Sequence, residues 1–209
     1  MRPDIVNLRQ FYSSRLGRKV RRRLRRLVRD YWPEGRGLHI VGVGYTTDLL
    51  PLPNAPTQRD SRILALMPMA QGAIYWPVED ENHSVLGDEM RPPFTTASLH
   101  RVLMVHGFEH SAAAEELLQI WWQLLVPGGR LMVMVPNRHG LWARFGATPF
   151  ATGTPYTLSS LRALFNGAGF TVRDVHSALF APPSSHPFWL RAFHALEWLG
   201  AACFPRLGG

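Results

Sequence analysis

Two glycines mark the stretch of this sequence that is best suited to bind a ligand. Gly42 and Gly44 close an apolar run over residues 38–44 and stand directly before Tyr45 and Thr46. Glycine lets a backbone approach a ligand closely, and the free N–H groups of a turn after a strand can bind an anionic group. Such a glycine pair after an apolar run is typical of the entrance to a nucleotide site. The structural alternative is a tight turn without a ligand.

A second polar group follows a later apolar run. His106, Glu109 and His110 match the H-x-x-E-H pattern of one class of zinc peptidase. That pattern requires a helix to bring both imidazoles to one face, whereas here it follows a strand and contains Gly107. We therefore predict no metal site. At the carboxyl end of a strand, His106 is a candidate general base, and Glu109 and His110 are expected to open the next helix.

A third polar group comes after the next apolar run. Asn137, Arg138 and Tyr156 are candidates for substrate contact. His139 is a second candidate base if the substrate reacts through a hydroxyl or an amine. Each of them also has the residue type of an ordinary loop or capping position. These residues matter only if the fold brings them to one edge of a sheet.

The elements that must position these groups alternate along the chain. Apolar runs predict strands at residues 38–44, 62–67, 84–89, 98–105, 130–136 and 170–180. Amphipathic spacing predicts helices at residues 111–126, with Ser111 as the N-cap, at residues 156–167 and at residues 186–204. Strands that alternate with helices indicate a parallel sheet in an α/β fold.

The positive charge of the chain is concentrated at its start. Residues 1–30 contain eleven Lys and Arg and two Asp, which gives a net charge of +9. The whole chain has a net charge of +8, so residues 31–209 have a net charge of −1. Apolar residues three or four apart over residues 11–31 predict one amphipathic helix whose other side is basic. Residues 9–29 are thus candidates for contact with an acidic partner, RNA or an anionic membrane surface. The alternative is a solvated helix face that docks on the domain.

Length and composition indicate one main domain. The chain has 209 residues, 46% of them hydrophobic, and a single cysteine, which excludes an internal disulfide. We expect a cytoplasmic protein, because no segment has the pattern of a secretory signal or a spanning helix. The predicted division is a basic N-terminal helix at residues 1–32, an α/β domain at 35–180, and an amphipathic helix and tail at 181–209.

Three stretches together resemble a known family. IVGVGYTT, GDEMRPPFTTASLHRVLMVHGFEH and LLVPGGRLMVMVPN are similar in type and order to the class I S-adenosylmethionine-dependent methyltransferases, especially the type 11 group. The resemblance covers roughly residues 35–180. It implies a Rossmann-like α/β sandwich, a mostly parallel sheet with helices on both faces, S-adenosylmethionine as cofactor, and transfer of a methyl group to a small or lipid-like acceptor.

The resemblance also implies which residues would meet the cofactor. The main-chain groups of the glycine turn would bind its amino-acid end, a methionine would pack on the adenosine, and an acidic pair would meet the adenine amine. The implied cofactor residues are Gly42, Gly44, Tyr45, Thr46, Met67, Asp88, Glu89 and His106.

The sequence departs from the family pattern in ways that bear on cofactor binding. Three positions that are usually acidic are Ile40, Met67 and His100. Three prolines limit the helix after the first loop to a turn or two: Pro51, Pro53 and Pro56. No seventh strand is visible after residues 170–180.

Two other functions compete with methyl transfer. A noncatalytic methyltransferase-like module would use its arginine-rich helix to bind an acidic partner, RNA or a membrane. A nicotinamide enzyme is disfavoured, because Thr47 replaces the third glycine of the dinucleotide pattern and the later acidic position falls in an apolar run.

Overall fold

The computed structural model describes residues 2–32, 35–53, 55–58, 60–144, 148–203 and 208. Helices in these residues are α1 (Ile5–Ser13), α2 (Arg15–Tyr31), α3 (Ala114–Leu124), α4 (Leu141–Arg144), α5 (Leu158–Gly167) and α6 (Pro187–Cys203). Strands are β1 (His39–Gly44), β2 (Arg62–Pro68), β3 (Ser84–Gly87), β4 (Leu99–Val105) and β5 (Leu125–Met134). The end of the predicted tail, at 204–207 and 209, lies outside the described residues.

The five strands form one parallel sheet in the order β3-β2-β1-β4-β5. β1 and β4 are central, and the pairing of Gly44 with Val105 brings their carboxyl ends level. Parallel strands need a crossover between them and are therefore covered on both faces. The predicted Rossmann-like α/β fold is confirmed.

Successive residues of the central strands point to opposite faces and reach different helices. Ile40 packs with α1, α2 and α6, whereas Val41 packs with α3. α5 completes the second layer through half-buried Leu161, Leu164 and Phe165. The period-two alternation of a strand thus divides the core into two layers.

The basic N-terminal segment forms two helices, so the prediction of one continuous helix is wrong. Ser14 has an extended backbone and caps α2, because its hydroxyl accepts a hydrogen bond from the N–H of Gly17. A Cβ at Gly17 would lie 1.9 Å from the carbonyl oxygen of Phe11, so only glycine allows the two helices to meet this closely. The break sends α1 across the carboxyl edge of the sheet, while α2 packs on its face.

The strand predicted at residues 170–180 is also wrong. This segment has no strand pairing, and an open groove of about 1610 Å³ is lined by both the segment and β5. An apolar run becomes a strand only when a neighbouring backbone supplies hydrogen-bond partners. Here β5 borders the same groove as the segment, but no backbone pairing joins the two among the described residues.

The helix after β4 begins later than predicted. Its N-cap is Ala113 rather than Ser111, and Glu109 with His110 forms a short 3₁₀ turn before it. The predicted core face is correct for the four members that lie in the helix and are buried there, Leu117, Leu118, Trp121 and Leu124. The fifth, Leu125, is buried but is the first residue of β5, so the helix also ends earlier than predicted.

Candidate active site

The glycine turn lies at the carboxyl end of β1, beside the end of β4. Gly44 has φ +83°, and a Cβ there would lie 2.2 Å from the carbonyl oxygen of Val105. The same carbonyl accepts a hydrogen bond of 2.9 Å from the N–H of Tyr45. The close approach of the two strands therefore requires glycine at this position, and the turn is held by β4 as well as by β1.

The space beside the other glycine is filled by the chain itself. A Cβ at Gly42 would lie 2.0 Å from Oγ1 of Thr46 and 2.7 Å from a methyl carbon of Leu50. Thr46 is fully buried, and its Oγ1 has no hydrogen-bond partner among the described residues. The turn is closely packed, and it holds one buried polar atom without a hydrogen-bond partner.

His106 lies at the centre of the edge, between a phenol and a carboxylate. Its Nε2 is 2.8 Å from the hydroxyl of Tyr12, and its Nδ1 is 3.4 Å from Oε1 of Glu109. His106 and Glu109 are each 1% exposed. The carboxylate favours a proton on Nδ1, which leaves Nε2 as the acceptor of the Tyr12 proton. The three side chains form a buried line, in which Nδ1 of His106 and both carboxylate oxygens of Glu109 have no hydrogen-bond partner among the described residues.

Tyr12 closes this line from α1. Its ring stacks on Tyr45 with 5.0 Å between the centroids and 10° between the planes. Burial, followed by the nearby Tyr45 and Asp48, raises the pKa of Tyr12 well above 10.0. Burial and the hydrogen-bonded Asp48 also raise the pKa of Tyr45. Tyr12 is therefore a neutral phenol that donates to His106.

The segment before α1 occupies the rest of the edge. Arg2 forms an ion pair with Glu89 and also donates to the carbonyl oxygen of Gly107. The N–H of Ile5 donates to the carbonyl oxygen of Gln71 at 2.7 Å, and Nε2 of Gln71 donates to the carbonyl oxygen of His106 at 2.9 Å. Residues 2–12 thus contact the same edge that the sequence predicts for the cofactor.

The remaining predicted cofactor residues differ in exposure. Met67 is fully buried at the end of β2, where its sulfur accepts a hydrogen bond from the N–H of Ile74. Asp88 is exposed and accepts a hydrogen bond from the N–H of Met90. Met67 is therefore covered by the chain, whereas Asp88 is open to solvent.

The predicted acceptor residues come together beyond β5. Asn137 pairs with Tyr156 in an isolated bridge, and Oδ1 of Asn137 accepts from the N–H of His139. The N–H of Arg138 donates to the carbonyl oxygen of Tyr156. Burial, followed by the charge of Glu109, raises the pKa of Tyr156. Asn137, His139 and Tyr156 line the groove described above, whereas the groove lining does not include Arg138.

The two candidate bases occupy different surroundings. His139 is exposed at the groove, whereas His106 is buried. Phe150 lines the groove, and its ring centroid is 4.8 Å from that of His106. An acceptor in the groove would therefore meet Phe150 before it reached His106.

Sequence reasoning missed several residues of this site. Tyr12, Arg2 and Gln71 lie far from His106 in the chain, and no local pattern marks them. Glu109 was expected to open α3, but its side chain is buried beside His106. The three-residue spacing between His106 and Glu109 was the available signal. Among the described residues, no three His, Cys, Asp or Glu side chains are grouped as metal ligands.

Comparisons with known proteins agree on the architecture. No protein-family model matches the chain, and no curated protein matches it. A SAM-dependent methyltransferase from Thermotoga maritima matches with a TM-score of 0.66 and 20% identity, covering 88% of this chain and 86% of that one. One from Archaeoglobus fulgidus has a TM-score of 0.61 and 19% identity, covering 96% and 92%. One from Aquifex aeolicus has a TM-score of 0.62 and 12% identity, covering 83% and 92%.

The chain has the class I S-adenosylmethionine-dependent methyltransferase fold. At these identities the likeness concerns the fold, and the chemistry must be argued from the site. In this methyltransferase fold, the polar atoms at the carboxyl edge are of the type that can hydrogen-bond to an adenosine cofactor. Oγ1 of Thr46 and Oε1 of Gln71 are buried without a hydrogen-bond partner among the described residues. The space beside them is taken by residues 2–12, which therefore have to move if a cofactor binds there.

Proposed function

We propose that the chain is an S-adenosylmethionine-dependent methyltransferase that acts on a small or lipid-like acceptor. The supporting observation is the likeness to SAM-dependent methyltransferases over 88% of the chain, combined with a glycine turn at the carboxyl edge of the central strands. Open parallel sheets bind ligands at that edge.

Different residues at the edge would bind different parts of the cofactor. The N–H groups that follow Gly44 would meet the amino-acid end of the cofactor, and Met67 would pack on its adenosine. The unpartnered oxygens of Thr46 and Gln71 would accept hydrogen bonds from its polar groups. The bound cofactor supplies an electrophilic methyl group on a sulfonium, so the protein mainly has to align the acceptor with it.

His106 would remove the acceptor's proton. Its Nε2 would accept that proton, and the carboxylate of Glu109, 3.4 Å from Nδ1, would stabilise the imidazolium that forms. Tyr12 already uses this Nε2 as its hydrogen-bond acceptor. The acceptor therefore reaches the base only when Tyr12 leaves it, and α1 acts as a cover that opens for binding.

Cofactor binding to the full chain and to a Tyr12→Phe variant tests this proposal. S-adenosylmethionine at about 100 times its dissociation constant should stabilise the fold by roughly 2.7 kcal/mol, measured as a shift of the urea unfolding midpoint. Tyr12→Phe keeps the stack on Tyr45 but removes the bond to His106. It should release the cover and tighten cofactor binding by up to about tenfold.

Tyr31→Phe is the matched control, because it removes a phenol that contacts exposed His176 away from the edge. It should leave cofactor affinity unchanged. No stabilisation by the cofactor in either the full chain or Tyr12→Phe, both correctly folded, would refute the proposed enzyme.

The filled edge also favours a second candidate, the noncatalytic module. Arg2, Ile5 and Tyr12 make specific contacts with the edge, as a permanent plug would. If the plug is permanent, Tyr12→Phe weakens the fold and creates no cofactor site. Calorimetric titration of that variant with S-adenosylmethionine separates the two candidates.

A further inference from the structure

The solvent side of α2 is a continuous band of positive charge. Three- and four-residue spacing places its arginines along one side of the helix, and the exposed members are Arg15, Arg18, Arg22, Arg25, Arg26 and Arg29. Two other arginines of the helix form ion pairs, Arg21 with Asp48 and Arg23 with Glu197. The band therefore faces water rather than the protein.

The last helix exposes large apolar side chains next to this band. α6 packs on the domain through Leu190 and Phe193, which are 8% and 1% exposed. Four of its large apolar side chains are exposed: Phe188 (62%), Trp189 (36%), Trp198 (70%) and Leu199 (48%). None of the described helices is both long and apolar enough to span a bilayer. Large exposed apolar side chains that are grouped on one element often mark a contact surface, so α6 is a candidate for one.

The two features form one surface because the helices lie side by side. Nζ of Lys19 lies 6.0 Å from the ring centroid of Phe193, and Nε of Arg23 lies 3.3 Å from Oε2 of Glu197. The solvent side of this contact has a concavity of about 400 Å³, lined by Arg15, Arg18, Lys19, Arg22, Leu190 and Arg191. Five of its six lining residues are cationic.

Arg191 connects the cationic concavity to the aromatic side of α6. Phe188 is three residues before it and Trp198 is seven residues after it, so all three lie along one side of the helix. We define the α2–α6 surface as the exposed arginines of α2 together with Phe188, Arg191, Trp198 and Leu199. Cations and large apolar groups thus point to the same solvent region.

We infer that the α2–α6 surface docks on an anionic lipid bilayer. Anionic headgroups match the arginine band, and aromatic and leucine side chains insert at the boundary between headgroups and acyl chains. A nucleic acid would match the charge but would leave Leu199 without a partner, since an aliphatic side chain neither stacks on a base nor bonds to it. The inference goes beyond the proposed function and does not depend on cofactor binding.

Cosedimentation of the full chain with vesicles tests this inference. The chain should bind phosphatidylcholine vesicles that contain about one third phosphatidylglycerol and should not bind phosphatidylcholine alone. Binding should weaken strongly when salt rises from about 0.1 M to 0.5 M. Arg18→Gln combined with Arg22→Gln should weaken it about 25-fold, from roughly fivefold per basic residue. Trp198→Ala should weaken it roughly tenfold through lost insertion.

Matched changes elsewhere on the surface serve as controls. Arg162→Gln combined with Arg173→Gln removes the same charge from exposed positions on α5 and the segment after it, and Val78→Ala trims an apolar side chain that is 78% exposed. Both should leave vesicle binding unchanged, and circular dichroism should be identical for all variants.

Three results would overturn the inference. The first is equal vesicle binding by the native chain and the α2–α6 variants. The second is tighter binding to single-stranded RNA than to the anionic vesicles, which would assign the arginine band to nucleic acid. The third is a stable dimer in light scattering that Trp198→Ala dissociates, which would assign the apolar side of α6 to self-association.

Discussion

Glu197 provides a sharp test of how the C-terminal part of the fold is held. Its side chain is only 6% exposed and accepts three hydrogen bonds. Oε2 accepts from the N–H of Leu179 at 3.0 Å and from Nε of Arg23 at 3.3 Å, and Oε1 accepts from the N–H of Ala181 at 3.1 Å. One carboxylate therefore joins α2, α6 and the unpaired segment that borders the groove.

Glu197→Ala removes all three bonds and leaves two buried N–H groups and the partly exposed guanidinium of Arg23 without this acceptor. An unsatisfied buried N–H costs about 1–3 kcal/mol, and removing one partner of a buried ion pair costs about 3–5 kcal/mol. Since the donors share one acceptor group, the two losses overlap, and we expect a loss of about 3–5 kcal/mol in the free energy of unfolding. That is a large part of the roughly 5–15 kcal/mol of a typical domain.

Urea unfolding followed by tryptophan fluorescence measures this loss. Glu197→Gln keeps one carbonyl oxygen but presents an amide to the other N–H, so it should lose about 1–3 kcal/mol. Glu79→Ala, at an exposed position, should change stability by less than about 0.5 kcal/mol. A loss below about 1 kcal/mol for Glu197→Ala would show that the carboxylate does not hold these elements together.

Other predictions concern the glycine turn and pH. Gly44→Ala should lower the free energy of unfolding in urea by about 3 kcal/mol or more, because the positive φ and the overlap with Val105 act together. Gly37→Ala is the control: Gly37 has φ +66° and no atom within 4 Å of an added Cβ, so the loss should be only about 1–2 kcal/mol. Burial lowers the pKa of His110 from 6.5. The unfolded chain therefore binds this proton more readily, and stability should fall as pH decreases below that value. Scanning calorimetry should show a lower melting temperature at about pH 5 than at pH 7 and a weaker dependence in His110→Asn; a melting temperature that rises on acidification would contradict this reasoning.

Local patterns were sufficient to predict the central sheet. β1, β2 and β4 are short apolar runs that end in glycine, proline or polar residues, and their burial on both faces explains why the pattern is continuous rather than alternating. The predicted cofactor edge and the groove residues beyond β5 follow from the rule that parallel strands end on one side. Roles for these residues in binding or catalysis remain predictions.

Contacts between distant parts of the chain could not be predicted from local sequence patterns. Residues 170–180 have the composition of a strand, but they pair with no strand among the described residues and instead line the same groove as β5. Glu197 interrupts an apolar pattern, yet it is a buried acceptor for backbone groups sixteen and eighteen residues away. Tyr12 has the spacing of a core residue, and its bond to His106 joins positions 94 residues apart.

The sequence by itself determined the order of the five sheet strands, the basic character of α2 and the glycine turn at the end of β1. These properties depend on residue type and on spacing within a few positions, which backbone geometry converts directly into local structure. Tertiary structure alone decided that α1 covers the carboxyl edge, that Tyr12, His106 and Glu109 form one buried line, and that α2 and α6 share a surface. Those outcomes depend on burial and pairing between distant segments, because a buried polar group is stable only where the folded chain supplies its partner.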